Sequence, residues 1–256
     1  MTGEKKVLAS SSDGLGIIKL NNLSKKNALD NETIKSLIYH LNLFERDDTI
    51  KAILLGAEGT VFCAGGDVKA MRSKTEMFAG DGIQLQKNYE WGIQEIPRQI
   101  ERMSTPIIAV VNGGAVGAGV DLACMCDLRI GCDKSFFSES FAFLALVPGD
   151  GGTFFLPRVV GYPKAMEMFL TGDKYDAQAS LDIGLLNYLV PESDLWSKAE
   201  EIAKKIMKNS HQAIRFTKKS LKSSWRHRDL EASLDQLSSF QGLTQYSKEH
   251  NNRMKI

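Results

Sequence analysis

The chain has 256 residues, 43% apolar and 25% charged, with 32 basic residues against 31 acidic ones for a net charge of +1. So even a balance carries no general attraction to nucleic acid or to an anionic membrane surface, and no apolar run reaches the roughly eighteen residues that a spanning helix needs. The composition is that of a globular protein with one sizeable core.

The opening MTGEKKVLASSSDG contains an acid and lacks an apolar h-region, so neither a secretory nor a transit peptide is expected there. LGIIKLN (15–21), KAILLGA (51–57), PIIAVVN (106–112) and DLRIG (127–131) are short β-branched runs ended by Gly, Asn or Ala, and they read as buried strands. Between the first two, Ile34, Leu37, Ile38 and Leu41 mark one face of a helix opened by Asp30 or Asn31. A helix is expected over 83–103, kinked or broken at Pro97. Strands alternating with helices predict an α/β core whose crossovers pack on a sheet.

Past residue 160 the strand signals nearly vanish, and helices are expected over 163–170, 176–183, 193–208, 211–222 and 229–246. Leu195, Ala199, Ile202 and Ile206 form one apolar stripe; Leu230, Leu234 and Leu237 form another. Such stripes must be buried, on the core or on a sister subunit. Cys63, Cys124, Cys126 and Cys132 lie in apolar surroundings at no zinc-site spacing. Buried free thiols are expected, and with them a reducing, cytoplasmic setting.

Three segments could carry chemistry. In GTVFCAGGDVKAM (59–71) a strand-like end runs through Ala64, Gly65, Gly66 and Asp67 into a helix start, whose free N–H groups suit an anion or oxyanion as well as a plain turn. In VNGGAVGAGVDLACMCD (111–127) a helix begins near Gly117 or Ala118 and carries Asp121 in its first turn. Acids there stabilise helix N-termini, but the apolar neighbours Val120, Leu122 and Ala123 imply burial, and a buried acid needs a partner or a task. In LVPGDGGTFFLPRVVG (146–161), Asp150 or Thr153 could cap the following helix, or Asp150 could carry a proton.

FCAGGDVKAM, NGGAVGAGVDLACMCDLRI, LVPGDGGTFFLPRVVG and MEMFLTGDKYDAQASLDIGLLNYLV, in this order, resemble the crotonase (enoyl-CoA hydratase/isomerase) superfamily, as does the opening GLGIIKLNNLSKKNALDNETI. The resemblance runs from about residue 7 to 250. It implies a crotonase-like α/β core of repeated ββα units over residues 1–195 and a C-terminal helical trimerisation region over 196–256, assembled as a homotrimer or dimer of trimers. It implies an acyl-CoA thioester substrate and a place in fatty-acid and lipid metabolism. No metal and no cofactor are expected beyond the coenzyme A of the substrate, and no nucleic-acid or membrane partner.

The matching oxyanion positions are Gly66 and Ala118; Lys25, Lys26, Ala64, Gly65 and Asp67 match the neighbourhood of the coenzyme A adenine. Hydratases of the family resemble one another in two glutamates that orient one water. The first falls at Asp121, one methylene shorter, and the second at Phe141, which transfers no proton. Glu139, two residues away, would point to the same side as Phe141 on a strand, and sits too far along the chain to be presumed a substitute. Dienoyl-CoA isomerases look similar in aspartates matching Asp121 and Asp150, and 4-chlorobenzoyl-CoA dehalogenases in a nucleophilic aspartate at Asp150. Ring-epoxide isomerases of phenylacetate breakdown are similar in having Phe at 141 and an aspartate one residue before Asp150.

The expected activity is therefore acyl-CoA double-bond isomerisation. Gly66 and Ala118 would hold the enolate oxygen, Asp150 would move an allylic proton with Asp121 as partner acid, and an apolar wall of Phe141, Phe143, Leu144 and Leu146 would exclude water. The alternatives are a 2-enoyl-CoA hydratase using Asp121 and a catalytically weak CoA-binding oligomer.

Overall fold

In the computed structural model, residues 5–227 and 229–255 are described. The chain opens with a hairpin, β1 (Val7–Ser12) and β2 (Leu15–Leu20), joined by Asp13-Gly14 at φ 52° and 83°. Positive φ at both turn residues matches the twist of antiparallel strands, and Asp-Gly is the pair that adopts it most readily. β1 carries polar serines and has no signal of its own beyond that turn.

α1 (Asn31–Arg46) follows, capped by the Asp30 carboxylate, which accepts from the Thr33 N–H at 2.9 Å. Next come β3 (Ala52–Ala57), β4 (Val61–Cys63), α2 (Val68–Ser73), α3 (Gly82–Glu90), α4 (Glu95–Arg102), β5 (Ile107–Val111), β6 (Gly114–Val116) and α5 (Ala118–Met125). β7 (Leu128–Cys132), β8 (Phe136–Ser138), α6 (Gly152–Val160), α7 (Tyr162–Thr171), β9 (Lys174–Asp176), α8 (Ala177–Asp182) and β10 (Tyr188–Val190) complete the mixed part. Four helices end the chain: α9 (Leu195–Met207), α10 (His211–His227), α11 (Leu230–Gln245) and α12 (Lys248–Arg253).

The break expected at Pro97 falls earlier. Residues 91–94 separate α3 from α4, and Pro97 sits in the first turn of α4, where its missing N–H costs no helical hydrogen bond.

Two sheets form, in the orders β1-β2-β3-β5-β7-β10 and β4-β6-β8-β9. β2 through β10 of the larger sheet are parallel, as are β4, β6 and β8 of the smaller. The strand pairs β3/β4, β5/β6 and β7/β8 repeat one motif: the first strand joins the large sheet and the second joins the small one. This repeat has no echo in the sequence. Because β4, β6 and β8 are neighbours and parallel, the segments leaving their carboxyl ends emerge side by side, where open α/β sheets place their ligands.

Period-two alternation sorts the large sheet onto two cores. Ile53, Leu55, Ile107, Ala109 and Val111 join α1, α4 and α5 in one, while Ala52, Leu54, Ile108 and Val110 face the other. α9 closes that second core with Leu195, Ala199, Ile202 and Ala203, and Ile206 packs at its margin. The boundary expected after residue 195 thus falls at the first residue of a helix that covers the sheet.

α10 is tethered by ions rather than by an apolar stripe. Arg215 pairs with Glu45 at 2.9 Å, and Lys218 donates to the Thr105 carbonyl at 2.8 Å and to Asp127 at 2.6 Å. α11 lies against α10 through stacked Phe216 and Phe240, ring centroids 4.2 Å apart, and leaves Leu230, Leu234 and Leu237 exposed. Lys218→Ala removes one partner of a nearly dry pair and should lower unfolding stability by about 2 kcal/mol in urea melts; unchanged stability would show that α10 docks without this tether.

Candidate active site

The turn after β4 runs through Ala64, Gly65 and Gly66 into α2, which Asp67 caps by accepting from the Lys69 and Ala70 N–H groups at 2.9 and 3.1 Å. Gly65 has φ +82°, and a Cβ there would stand 2.5 Å from the Val116 carbonyl oxygen. Only glycine lets these two chains approach so closely. On the other side Gly117 turns the chain into α5, and Ala118 is its first residue. Among the described residues, neither the Gly66 N–H nor the Ala118 N–H donates to any protein group. Two free amides therefore meet at one wall of a cavity of about 100 Å³.

Ala64, Gly65, Gly66, Ala118, Phe141 and Asp150 all line that cavity. Its remaining walls are mostly apolar, with Val68, Met71, Phe78, Ile93, Leu144 and Leu146 among them, and Ser140 lines it as well. Phe143 belongs elsewhere: it is 90% exposed, because a short 3-10 turn over Ala142–Leu144 points it out of the pocket. Tyr89 of α3, to which the sequence attached no role, also lines the cavity beside Asp150.

The expected coenzyme A lysines stand outside this cavity. Lys25 is held by three carboxylates, Asp67 at 2.9 Å and Asp30 and Glu76 at 3.1 Å. The Asp67 bond leads in pushing its pKa up, against the desolvation that burial imposes. Burial disfavours the charge on Asp67, yet Lys25 and the two helix N–H groups hold it below the usual carboxylate range. Lys25 thus ties the loop after β2 to the start of α2. Lys26 is exposed, and its carbonyl accepts from the Ala64 N–H at 3.1 Å.

Asp150 does not cap α6. The N-cap is Gly151 at φ 111°, with no side-chain cap bond, and among the described residues the buried Asp150 carboxyl oxygens have no partner in the hydrogen-bond geometry. Asp121 lies directly behind it, fully buried, with its carboxyl against the Gly152 Cα, so that any Cβ on Gly152 would overlap it. The charges of Asp150 and Glu139 both bear on Asp121 and raise its pKa further.

Glu139 is the residue that sequence reasoning set aside. Strand geometry put it on the same side as Phe141, but β8 ends at Ser138 and the chain turns there, so strand alternation no longer applies. Glu139 goes inward at 0% exposure while Phe141 lies on the cavity wall over Gly117. A buried acid just past a strand end was the available signal.

Burial is the chief reason the pKa values of all three acids are raised. It raises Asp121 well above the carboxylate range, with the charges of Asp150 and Glu139 adding to it. It pushes Glu139 up to about 8 against the opposing effect of Asp121, and it raises Asp150 as well.

A profile of the family described as enoyl-CoA hydratase/isomerase matches residues 10–255. The chain belongs to the enoyl-CoA hydratase/isomerase, or crotonase, family. It is 33% identical over 210 residues to the short-chain-enoyl-CoA hydratase of Clostridium acetobutylicum, covering 81% of this chain and 77% of the relative. It is 34% identical over 211 residues to the mitochondrial enoyl-CoA hydratase of Pongo abelii, covering 82% and 70%. The crystal structure of an enoyl-CoA hydratase from Bacillus anthracis superposes with a TM-score of 0.90 at 27% identity, covering 98% of this chain and 95% of that one. As a crotonase, the protein is an enzyme of a family that acts on acyl-CoA thioesters. The family places its ββα repeats and C-terminal helices as found here, and among the described residues no helix is long and apolar enough to cross a membrane.

Acids that bind protons more tightly when folded make folding a proton uptake, so stability falls as pH rises through their folded-state values. Between pH 7 and 8, His40 and His211, both pushed down by burial, are already neutral. Unfolding free energy should therefore drop by about 1–3 kcal/mol from pH 7 to 8 in urea melts, one to two protons' worth. A flat or rising curve would show that the three acids are ionised at neutral pH.

Proposed function

We propose that this enzyme moves the double bond of an enoyl-CoA thioester. One observation carries the reading: two free amides and a single carboxyl, Asp150, open into one mainly apolar cavity that Tyr89 and Ser140 also line. The thioester oxygen binds the Gly66 and Ala118 N–H groups. Asp150 takes a proton from C2 of a 3-enoyl-CoA, the C–H electron pair enters the conjugated system, and negative charge collects on the thioester oxygen. Each amide aimed there lowers the barrier by about 3 kcal/mol. Asp150 then returns the proton at C4, which leaves the 2-enoyl thioester.

Phe141 supports isomerisation over hydration, since it fills cavity wall beside Gly117 and can neither hold nor deprotonate water. Asp121, behind Gly152, acts on Asp150 rather than on substrate. No cofactor is required beyond the coenzyme A of the substrate. The exposed leucines of α11 fit burial against sister subunits in a trimer or dimer of trimers. The second reading is a 2-enoyl-CoA hydratase, favoured by the names of the relatives from Clostridium acetobutylicum and Pongo abelii.

Asp150→Asn should lower 3-enoyl- and 3,5-dienoyl-CoA isomerisation by a factor on the order of 10²–10⁴, with thioester binding retained. Unchanged turnover would sink the role of Asp150. In heavy water, deuterium entering both C2 and C4 supports the isomerase. Loss of conjugated thioester absorbance from 2-enoyl-CoA, without C4 exchange, supports the hydratase; exchange at neither carbon points to a CoA-binding oligomer.

A further inference from the structure

The cavity that Asp150 faces holds about 100 Å³. An apolar space of roughly 150 Å³ is what a six-carbon benzene ring occupies, so this one takes about six acyl carbons at most. Outside it, a groove of about 480 Å³ runs between α3, α4 and the turn before α6. Among the described residues, only two side chains line both spaces: Tyr89 of α3 and Leu146 of the turn. A second groove, between α1 and α3, shares with the cavity only Met77, which is buried at 3% exposure. The wall toward the first groove is therefore the thinner one.

Both side chains stand on anchored backbone. Tyr89 lies in the last turn of α3, half-buried, and its ring meets Phe78 edge-on at a centroid distance of 6.4 Å. Gly149 packs against the same ring, so closely that a Cβ there would come within 3.2 Å of it. The Gly149 carbonyl accepts from the Gln94 side chain at 2.7 Å, which ties the turn to the start of α4. The Phe141 carbonyl accepts from the N–H groups of both Leu144 and Leu146 at 2.9 Å, and this fixes the base of the Leu146 side chain. Beyond Leu146, Val147 offers apolar surface to the outer groove and is 78% exposed.

The order of contacts along the acyl chain follows from the reaction proposed above. With the thioester oxygen at the Gly66 and Ala118 amides and Asp150 reaching C2 and C4, the carbons past C4 run on beyond Asp150. Gly149, the preceding residue, and the Tyr89 ring packed on it stand there. We propose that Tyr89 and Leu146 form a partition that sets the length of the acyl group, admitting short-chain thioesters and turning away those whose tails would enter the outer groove. The direction of the chain rests on Asp150 being the proton carrier; the size of the cavity does not. Removing either side chain joins the two spaces and gives a longer tail a path along Val147.

The ratio of kcat/KM for 3-butenoyl-CoA to that for 3-decenoyl-CoA tests the partition. A single methylene too many for a pocket costs about 10- to 200-fold, so the parent should favour the four-carbon thioester by at least about 100-fold. Tyr89→Ala should shrink that preference by at least about tenfold, and Leu146→Ala should shrink it as well. Tyr89→Phe keeps the ring and should keep the preference, which separates the wall from any role of the hydroxyl. Calorimetry reads the same wall without turnover. Decanoyl-CoA should bind the parent no tighter than butyryl-CoA, yet bind Tyr89→Ala at least about tenfold tighter, because its extra methylenes then find cover. A parent that treats both lengths alike, a preference unmoved by both alanine variants, or one lost equally in Tyr89→Phe would overturn the proposal. Should Tyr89→Ala fail to fold, Leu146→Ala decides, at a position 40% exposed. If neither 3-enoyl thioester is isomerised but the affinities change as stated, the isomerase reading has failed and the partition stands. If the affinities do not change either, the partition has failed too.

Discussion

A carboxylate moved from water into an apolar interior loses several kcal/mol of solvation unless a cation or a set of donors replaces it. This protein buries Asp121, Glu139 and Asp150, and among the described residues none of their carboxyl oxygens has a hydrogen-bond partner, so burial raises all three pKa values. One close contact fixes where Asp121 sits: its carboxyl lies against Gly152, where any Cβ would overlap it. Glycine at 152 is what allows α6 to start this close to Asp121.

The small parallel sheet does the rest of the assembly. Adjacent strands β4, β6 and β8 deliver, at one edge, the Ala64–Asp67 turn, the start of α5 and the Glu139–Phe141 turn. The two free amides, Asp121 and Glu139 thus come from three repeats of one motif, and α6 closes the site from a fourth direction. Preorganisation follows, because each element is anchored away from the cavity: α2 by its Asp67 cap and Lys25, α5 by its burial. Amides held this way keep their positions without rearrangement of the backbone.

Much of this was legible from residue patterns. The four long strands, α1 with its Asp30 cap, the stripe of α9 and the start of α5 all follow from periodicity and capping chemistry, and the structure places them within a residue or two. The three-residue strands β4, β6, β8 and β9 did not announce themselves, since a run that short has no period to detect. Pro97 misled about the helix break because proline is as welcome in a first turn as it is disruptive in a helix interior.

The glycine turn at 65–66, the helix start near 118 and an acid in an apolar setting at Asp121 are local features of the sequence, whereas the pairing of Gly66 with Ala118 came from the resemblance to the crotonases. Whether Asp150 caps a helix or faces a cavity could not be read from sequence, since that depends on where Gly151 sends the chain. Nor could Glu139 be matched with Asp121, eighteen positions away, because its charge bears on Asp121 only once β6 and β8 lie side by side. Local chemistry is written residue by residue; which carboxyls bear on one another is a matter of distance, and distance belongs to the fold.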